Sequence, residues 1–123
     1  MPFQLDENNA KYQIRAYQPG YLKINDEVLN ASVLISFDKL ITNWPPQSVD
    51  ELTAASLNQA LALEPEVLLI GTGSKLIFLS PEIYSAFIGK QIGVEVMDTS
   101  AACRTFNALT AENRRVVAAL IIR

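Results

Sequence analysis

A run of four apolar residues, VLLI at positions 67–70, constrains this chain more than any other stretch. A strand with one face in water would alternate apolar and polar residues, and this run does not, so we expect a strand that is covered on both faces. Pro65 disfavours helix just before the run, and Gly71 and Gly73 permit a tight turn just after it. The run therefore predicts an inner strand of a sheet that packs between two other layers.

The second half of the chain alternates predicted strands with predicted helices. One helix precedes the inner strand, with Ser48 as its cap and Glu51 in the capping-box position. A second begins with Ser80 as its cap and Pro81 at its first position. Further along we expect a strand over 93–97, a helix over 101–111 and a strand over 116–122, with Ile83, Phe87 and Ile88 on the inner face of the second helix. This order is typical of an α/β sheet with helix crossovers, which makes strands 67–70 and 93–97 parallel. The pattern leaves the direction of the last strand open.

The first third of the chain predicts a β-rich meander. Short strands are expected at 13–17, 21–24, 27–29, 32–37 and 40–42, with a hairpin at Asn25 and Asp26. Residues 1–11 are polar, and we expect them to be flexible. At 123 residues the whole chain, 1–123, is expected to form one domain.

Composition and charge exclude several classes of function. The net charge is −3 and no cluster of basic residues occurs, so nucleic acid is not an expected partner. No apolar run is long enough to span a bilayer, so we expect no insertion into a membrane. The N-terminal residues lack the pattern of a secretory signal or a mitochondrial transit peptide, and there is one cysteine, so the expected compartment is the cytoplasm.

The chain contains no histidine, and this removes much of catalytic and metal chemistry. Nucleophile pairs that need histidine are excluded, as are zinc sites built on histidine or on several cysteines. A carboxylate site for magnesium stays possible, but the acids show no motif spacing. We therefore expect no cofactor and no metal, and the absence of a catalytic constellation argues against an enzyme without excluding one.

If the two strands are parallel, the polar turns that follow them lie at the same edge of the sheet. These turns are Gly71, Thr72, Gly73 and Ser74, and Asp98, Thr99 and Ser100. Open α/β sheets bind ligands at such an edge, and the helix that begins there would favour an anion. The simpler interpretation, which we prefer, is that the glycine turn is only a turn and that Asp98 and Ser100 only cap the helix.

Cys103 and Arg104 follow in the first turns of the predicted third helix. A helix start and a neighbouring arginine would favour a thiolate, but free cysteines usually act as small buried apolar residues, and we prefer that interpretation. An arginine early in a helix opposes the helix dipole and calls for a partner. We expect Asp98 or Glu95 to be that partner in a structural ion pair, with recognition of an anion by Arg104 as the alternative.

Three stretches together resemble a known family. EVLLIGTGS, GVEVMDTSAACRTFN and ENRRVVAALI are similar to the complex I assembly factor 3 family, which includes the prokaryotic Mth938-like domains of unknown function. The likeness covers residues 12–123. It implies a three-layer α/β fold with a mixed central sheet of about five strands and about three helices. It implies no catalytic residues, and it implies protein partners in assembling a respiratory membrane complex.

Three hypotheses for the function follow from these observations. The first is a non-enzymatic protein-binding module, which the absence of catalytic residues and the resemblance both favour. The second is a small-molecule binder, or an enzyme, that uses the crevice at Thr72, Asp98 and Arg104 to hold an anion. The third is a homo-oligomer whose interface is the β-rich first third.

Overall fold

Two β-sheets and three α-helices make up the described part of the chain. The computed structural model describes residues 10–85, 87 and 89–123. The strands are β1 (Ile14–Gln18), β2 (Tyr21–Ile24), β3 (Glu27–Leu29), β4 (Val33–Ser36), β5 (Leu40–Ile41), β6 (Val67–Gly71), β7 (Gly93–Met97) and β8 (Val116–Leu120). The helices are α1 (Ala54–Leu61), α2 (Pro81–Ser85) and α3 (Thr99–Ala111), with a 3-10 turn at Val49–Glu51. Ile88 and the first nine residues of the segment expected to be flexible lie outside the described residues.

The larger sheet has five strands in the order β5-β4-β8-β6-β7. Strand β6 pairs in parallel with β7 on one side and with β8 on the other, which confirms the predicted parallel pair. Strand β8 pairs antiparallel with β4, so the sheet is mixed, as expected. The direction that the sequence left open is decided here: the last strand runs parallel to β6. Strand β8 also occupies the centre of the sheet, and β6, which contains the VLLI run, lies next to it.

Successive residues of the inner strands enter two different cores. Leu69 packs with Phe106 of α3 on one face. Leu68 and Ile70 pack with Leu57 of α1 on the other face. Because both faces are covered, an uninterrupted apolar run is what these strands require. The three-layer arrangement is therefore confirmed, with the helices α1 and α2 on one side and α3 and the smaller sheet on the other.

The smaller sheet is an antiparallel meander, β1-β2-β3. Its second turn contains the expected hairpin residue Asn25, whose positive φ of 53° suits asparagine. Strand β1 is irregular: Ile14 pairs with Ile24 and Ala16 with Lys23, so that Arg15 is an extra residue between two paired positions. This β-bulge has a bearing on the candidate site.

The predicted start of the first helix was wrong. Ser48 precedes only the 3-10 turn and its side chain makes no capping hydrogen bond. The helix α1 begins after Thr53, whose hydroxyl accepts the Ser56 N–H at 3.1 Å, while the Ser56 hydroxyl accepts the Thr53 N–H at 3.0 Å. The extended backbone at Leu52 separates the 3-10 turn from α1. The capping box at Thr53, directly before the helix, therefore sets the first residue of α1.

Candidate functional site

The two turns that were predicted to share an edge do lie together. The Thr72 N–H donates to the carbonyl oxygen of Met97 at 2.9 Å, and the Thr99 N–H donates to the carbonyl oxygen of Gly73 at 2.9 Å. The glycine turn after β6 is thus joined to the start of α3 by backbone hydrogen bonds. Thr72 and Asp98 consequently stand on the same rim of the sheet.

The polar groups of this rim bind mainly to one another. Thr99 is fully buried, and its hydroxyl accepts the Gly73 N–H at 2.7 Å and donates to the carbonyl oxygen of Ile121 at 2.6 Å. The Thr72 hydroxyl donates to the carbonyl oxygen of Lys75 at 2.6 Å and accepts the Ile77 N–H at 3.1 Å. These hydrogen bonds tie the turn to the last strand and to the following loop.

The remaining residues of the two turns play smaller parts. Gly71 is buried, and Gly73 adopts a φ of 101°, which favours glycine. Ser74 is exposed, and its N–H donates to the carbonyl oxygen of Arg123 at 3.1 Å. Asp98 is the N-cap of α3, where its carboxylate accepts the Ala101 N–H at 2.9 Å. The geometry of Asp98 therefore agrees with the capping interpretation.

Cys103 faces the core beneath α3. Its side chain is 6% exposed and lies in the same apolar cluster as Phe106. Burial raises the pKa of the Cys103 thiol to about 12; the nearby guanidinium of Arg104 opposes this rise and the carboxylate of Asp98 adds to it. The sulfur is a neutral thiol at physiological pH, in agreement with its interpretation as a small buried apolar residue.

Arg104 does not form the ion pair that we expected. In the described ranges neither Asp98 nor Glu95 pairs with it. Its guanidinium instead donates to the hydroxyl of Ser100 at 2.9 Å, one helical turn earlier on the same face. Asp98, one of the two acids expected as a partner, caps the helix instead. Arg104 is therefore an exposed cation held by a neutral group.

Arg104 lines a small groove between α3 and the smaller sheet. The groove has a volume of about 120 Å³, and its polar lining comprises Arg15, Tyr17, Ser100, Arg104 and Asn107. Asn107 joins the two walls, because its side-chain amide accepts the Ile14 N–H at 3.0 Å and donates to the Ile14 carbonyl oxygen at 2.8 Å. The sequence analysis missed Arg15 and Asn107, since no local pattern shows that β1 packs beside α3.

Tyr17 contributes a phenol to this groove. Partial burial is the main cause that raises the pKa of Tyr17 above its ordinary value, and the nearby Cys103 and Asp98 add to it. The phenol is therefore protonated at neutral pH and can donate a hydrogen bond. Its contact within the fold is long, 3.4 Å to the carbonyl oxygen of Arg123.

A larger cavity, of about 360 Å³, lies at the other end of the sheet. Its lining includes Phe37, Leu63 and Val116, with Arg114 and Arg115 among its charged residues. The cations there already have partners. The Arg114 guanidinium pairs with Glu66 at 3.2 Å, and the Arg115 guanidinium donates to the carbonyl oxygen of Glu64 at 3.3 Å. Glu66 also accepts the backbone N–H of Arg115 at 2.9 Å; this hydrogen bond first, and then the one from Arg114, lower the pKa of the Glu66 carboxyl.

The loop between β6 and α2 presents a run of large apolar side chains to solvent. We call Leu76, Ile77 and Phe78 the LIF segment; all three are exposed, and Phe78 is 82% exposed. Leu79, the next residue, is buried. The segment is thus followed by the buried Leu79, while the Thr72 hydroxyl holds the Lys75 carbonyl just before the segment and the Ile77 N–H in its middle.

The described ranges lack two further features. No group of three or more histidine, cysteine or acidic residues comes together there as a metal site would need. No helix in those ranges is long and apolar enough to cross a membrane.

Comparisons with known proteins give consistent matches. Residues 14–121 match the family model described as "Protein of unknown function (DUF498/DUF598)". The chain is 34% identical over 122 residues to the NADH dehydrogenase [ubiquinone] 1 alpha subcomplex assembly factor 3 of Xenopus tropicalis, a match that covers 96% of this chain and 66% of the relative. It is 27% identical to the "13 kDa major membrane protein" of Francisella tularensis, over 98% of this chain and 99% of that protein.

The solved structures agree with the fold. A solution NMR structure of a Bordetella pertussis protein, described as a Mth938-like domain, superposes with a TM-score of 0.82 at 33% identity, covering 99% of this chain and 92% of the other. The expected Mth938-like fold is therefore confirmed, and so is the resemblance to the assembly factor 3 proteins. The chain spans just under two thirds of the length of the Xenopus relative.

Proposed function

This chain belongs to the DUF498/DUF598 family, and on that premise we propose that it is a non-enzymatic protein-binding module that acts in the assembly of a multisubunit membrane complex. The similarity to assembly factor 3 proteins over nearly the whole of this chain supports the role. The proposal needs no cofactor. It places the activity in the cytoplasm, in keeping with a free and buried thiol.

The exposed LIF segment is the observation that carries the proposal. Three consecutive large apolar residues stand in solvent, and the half-exposed ring of Tyr84 follows on α2. Exposed apolar residues scattered singly are ordinary, but a contiguous group usually marks a surface that another molecule covers. The segment is therefore the surface on which we expect a partner protein to bind.

The way the loop is held supports recognition of a protein. The Thr72 hydroxyl holds the backbone at Lys75 and Ile77, and the buried Leu79 follows the segment, so its side chains are displayed on a supported backbone. An anchored segment loses less conformational entropy on binding than a free one. Phenylalanine supplies a large contact area, and aromatic side chains are enriched in the cores of protein interfaces.

Replacing Phe78 tests the proposal. We expect Phe78→Ser to leave the fold unchanged, because the side chain is exposed, and to abolish capture of a stoichiometric partner by the tagged protein in its native host. Val28→Ser is the matched control, since Val28 is also a large exposed apolar residue but lies on β3 of the smaller sheet. Capture that is lost with Phe78→Ser and kept with Val28→Ser supports the proposal.

Two other outcomes would contradict it. The same partners captured by wild type and Phe78→Ser would show that the LIF segment is not the binding surface. Light scattering that finds a dimer in the wild type and a monomer in Phe78→Ser would show that the segment binds a second copy of the chain. A homo-oligomer would then replace the assembly role.

A further inference from the structure

Two arginines from different elements line the same small groove beside α3. Arg15 comes from β1 and Arg104 from α3. Neither forms an ion pair within the described part of the chain. The other lining residues are neutral, so no carboxylate of the lining balances the two positive charges. Two like charges that face one concave surface raise its affinity for an anion.

The irregular register of β1 contributes to this arrangement. Arg15 is the residue of the β-bulge, the extra position between the pairs of Ile14 and Ala16. A β-bulge redirects side chains locally, and bulges are frequent beside functional sites. Here the bulge follows directly on Ile14, the residue whose backbone is held by both polar groups of the Asn107 side chain. The arginine is thus attached to a backbone that is fixed to α3.

The groove offers hydrogen-bond donors from more than one direction. Arg104 uses one of its five guanidinium N–H donors on Ser100, and no hydrogen bond from the Arg15 guanidinium to a described residue is formed. The phenol of Tyr17 makes only the long 3.4 Å contact with the Arg123 carbonyl oxygen, and it would give up that contact to donate into the groove. Donors from two elements can each contact different oxygen atoms of a tetrahedral oxyanion, which offers more acceptors than the two oxygens of a carboxylate. A volume of about 120 Å³ accommodates one small group.

We propose that this groove binds a phosphate, either the free ion or the phosphoryl group of a small monoester, between Arg15 and Arg104. Guanidinium groups bind phosphate oxygens through paired, charge-assisted hydrogen bonds. This groove is not the crevice considered above at Thr72, Asp98 and Arg104. Arg104 lines it together with β1, whereas Thr72 and Asp98 use their side chains in hydrogen bonds within the rim. The proposal is independent of the protein-binding role.

Titration by NMR tests this proposal. Inorganic phosphate and phenyl phosphate would be added separately to the ¹⁵N-labelled protein at constant ionic strength. We expect saturable shifts at the amides of residues 15–17 and 100–104. Arg15→Gln and Arg104→Gln should each weaken binding by about tenfold or more, since a charge-assisted hydrogen bond contributes about 1.5–3 kcal/mol. The tighter of the two probes identifies the source of the phosphate.

Matched variants separate a site from general electrostatics. Lys39→Gln removes one positive charge from the loop between β4 and β5 and should leave phosphate binding unchanged. Arg104→Lys keeps the charge but loses the forked donor, and should weaken binding. Shifts that do not saturate with either probe, equal losses with Lys39→Gln, or acetate binding as tightly as phosphate would each overturn the proposal. Unchanged spectra of the free variants would show that they remain folded.

Discussion

Gly71 lies directly against Thr99, at the place where β6 ends and α3 begins. A Cβ atom built on this glycine would stand 2.8 Å from the threonine Oγ1 and 3.1 Å from its Cα. The absence of a side chain therefore allows the helix start to approach the strand. This close approach places the Thr99 hydroxyl between the Gly73 N–H and the Ile121 carbonyl. One glycine thus positions the hydroxyl that joins the glycine turn, α3 and the last strand.

Gly71→Ala should destabilise the protein. The new methyl group would overlap the Thr99 side chain and approach Leu120 to 3.0 Å. Overpacking of this kind costs about 1–3 kcal/mol. Chemical unfolding in urea, compared between wild type and variant, measures the change in the free energy of unfolding.

Gly93→Ala provides the control for that experiment. Gly93 also lies in a strand of the same sheet, but the nearest atom to its added Cβ is the Glu66 carbonyl oxygen at 3.8 Å, an ordinary contact. We expect a change of no more than about 0.5 kcal/mol. Equal losses in the two variants would show that strand glycine itself, rather than the contact with Thr99, causes the effect.

Thr99→Val should be more damaging than its size suggests. Valine keeps the shape of threonine but leaves the buried N–H of Gly73 and the carbonyl of Ile121 without this partner. The cost is about 1–3 kcal/mol for each unpaired group. Thr99→Ser keeps the hydroxyl and removes one methyl group, at a cost of about 0.8 kcal/mol. A serine variant as unstable as the valine variant would contradict the bridging role.

Asn107→Ala should loosen β1 without unfolding the rest of the chain. The Ile14 N–H would lose its acceptor, which is the side-chain oxygen of Asn107. Because such a hydrogen bond contributes about 1 kcal/mol, hydrogen exchange at the Ile14 amide should become about fivefold faster. Asn58→Ala, at an exposed position of α1, is the control and should leave that exchange rate unchanged.

Cys103 should be unreactive in the folded protein. With a pKa of about 12 and a buried side chain, the thiol forms almost no thiolate at about pH 8, so iodoacetamide should modify it only after denaturation. Mass spectrometry of native and denatured samples measures the difference. Rapid alkylation of the native protein would show that the helix start exposes and activates the thiol.

The same pKa shift predicts a dependence of stability on alkaline pH. The folded pKa is raised above the ordinary value of 9.0, so the unfolded chain loses the thiol proton first. The contribution to stability is complete below pH 9.0 and is lost as pH rises from there through about 12. The difference in unfolding free energy between wild type and Cys103→Ala should therefore shrink above pH 9.0. A constant difference would contradict a buried neutral thiol.

Local sequence predicted the elements well where a single physical reason controls them. The uninterrupted VLLI run indicated a strand with two covered faces, and β6 has them. Asp98 was recognised as a cap because a short acceptor before a helix satisfies free N–H groups. The prediction of Ser48 as the cap of the first helix was wrong, because Thr53 stands directly before that helix and makes the capping hydrogen bonds.

The pairing of distant segments was beyond local reasoning. Arg15 carries no motif, and its placement beside Arg104 depends on a bulge in β1 and on the contact of Asn107 with Ile14, which are 93 residues apart. The expected ion pair of Arg104 is absent for the same reason. Whether it forms depends on which residues lie beside Arg104 in the fold, and the Asp98 carboxylate already accepts a hydrogen bond from the start of α3.

The amino-acid sequence by itself determined the order of strands and helices, the two-faced burial of the inner strand and the family to which the chain belongs. The first two follow from hydrophobic periodicity, capping and turn residues, which act over a few positions along the chain, while the family is recognised from the likeness of three whole stretches of sequence. Only the tertiary structure decided that β8 stands at the centre of the sheet, that the rim at Thr72 and Thr99 is closed by its own hydrogen bonds, and that two arginines share a groove. Those outcomes depend on packing between segments far apart in sequence, where the balance of burial and hydrogen bonding over the whole fold selects the neighbours.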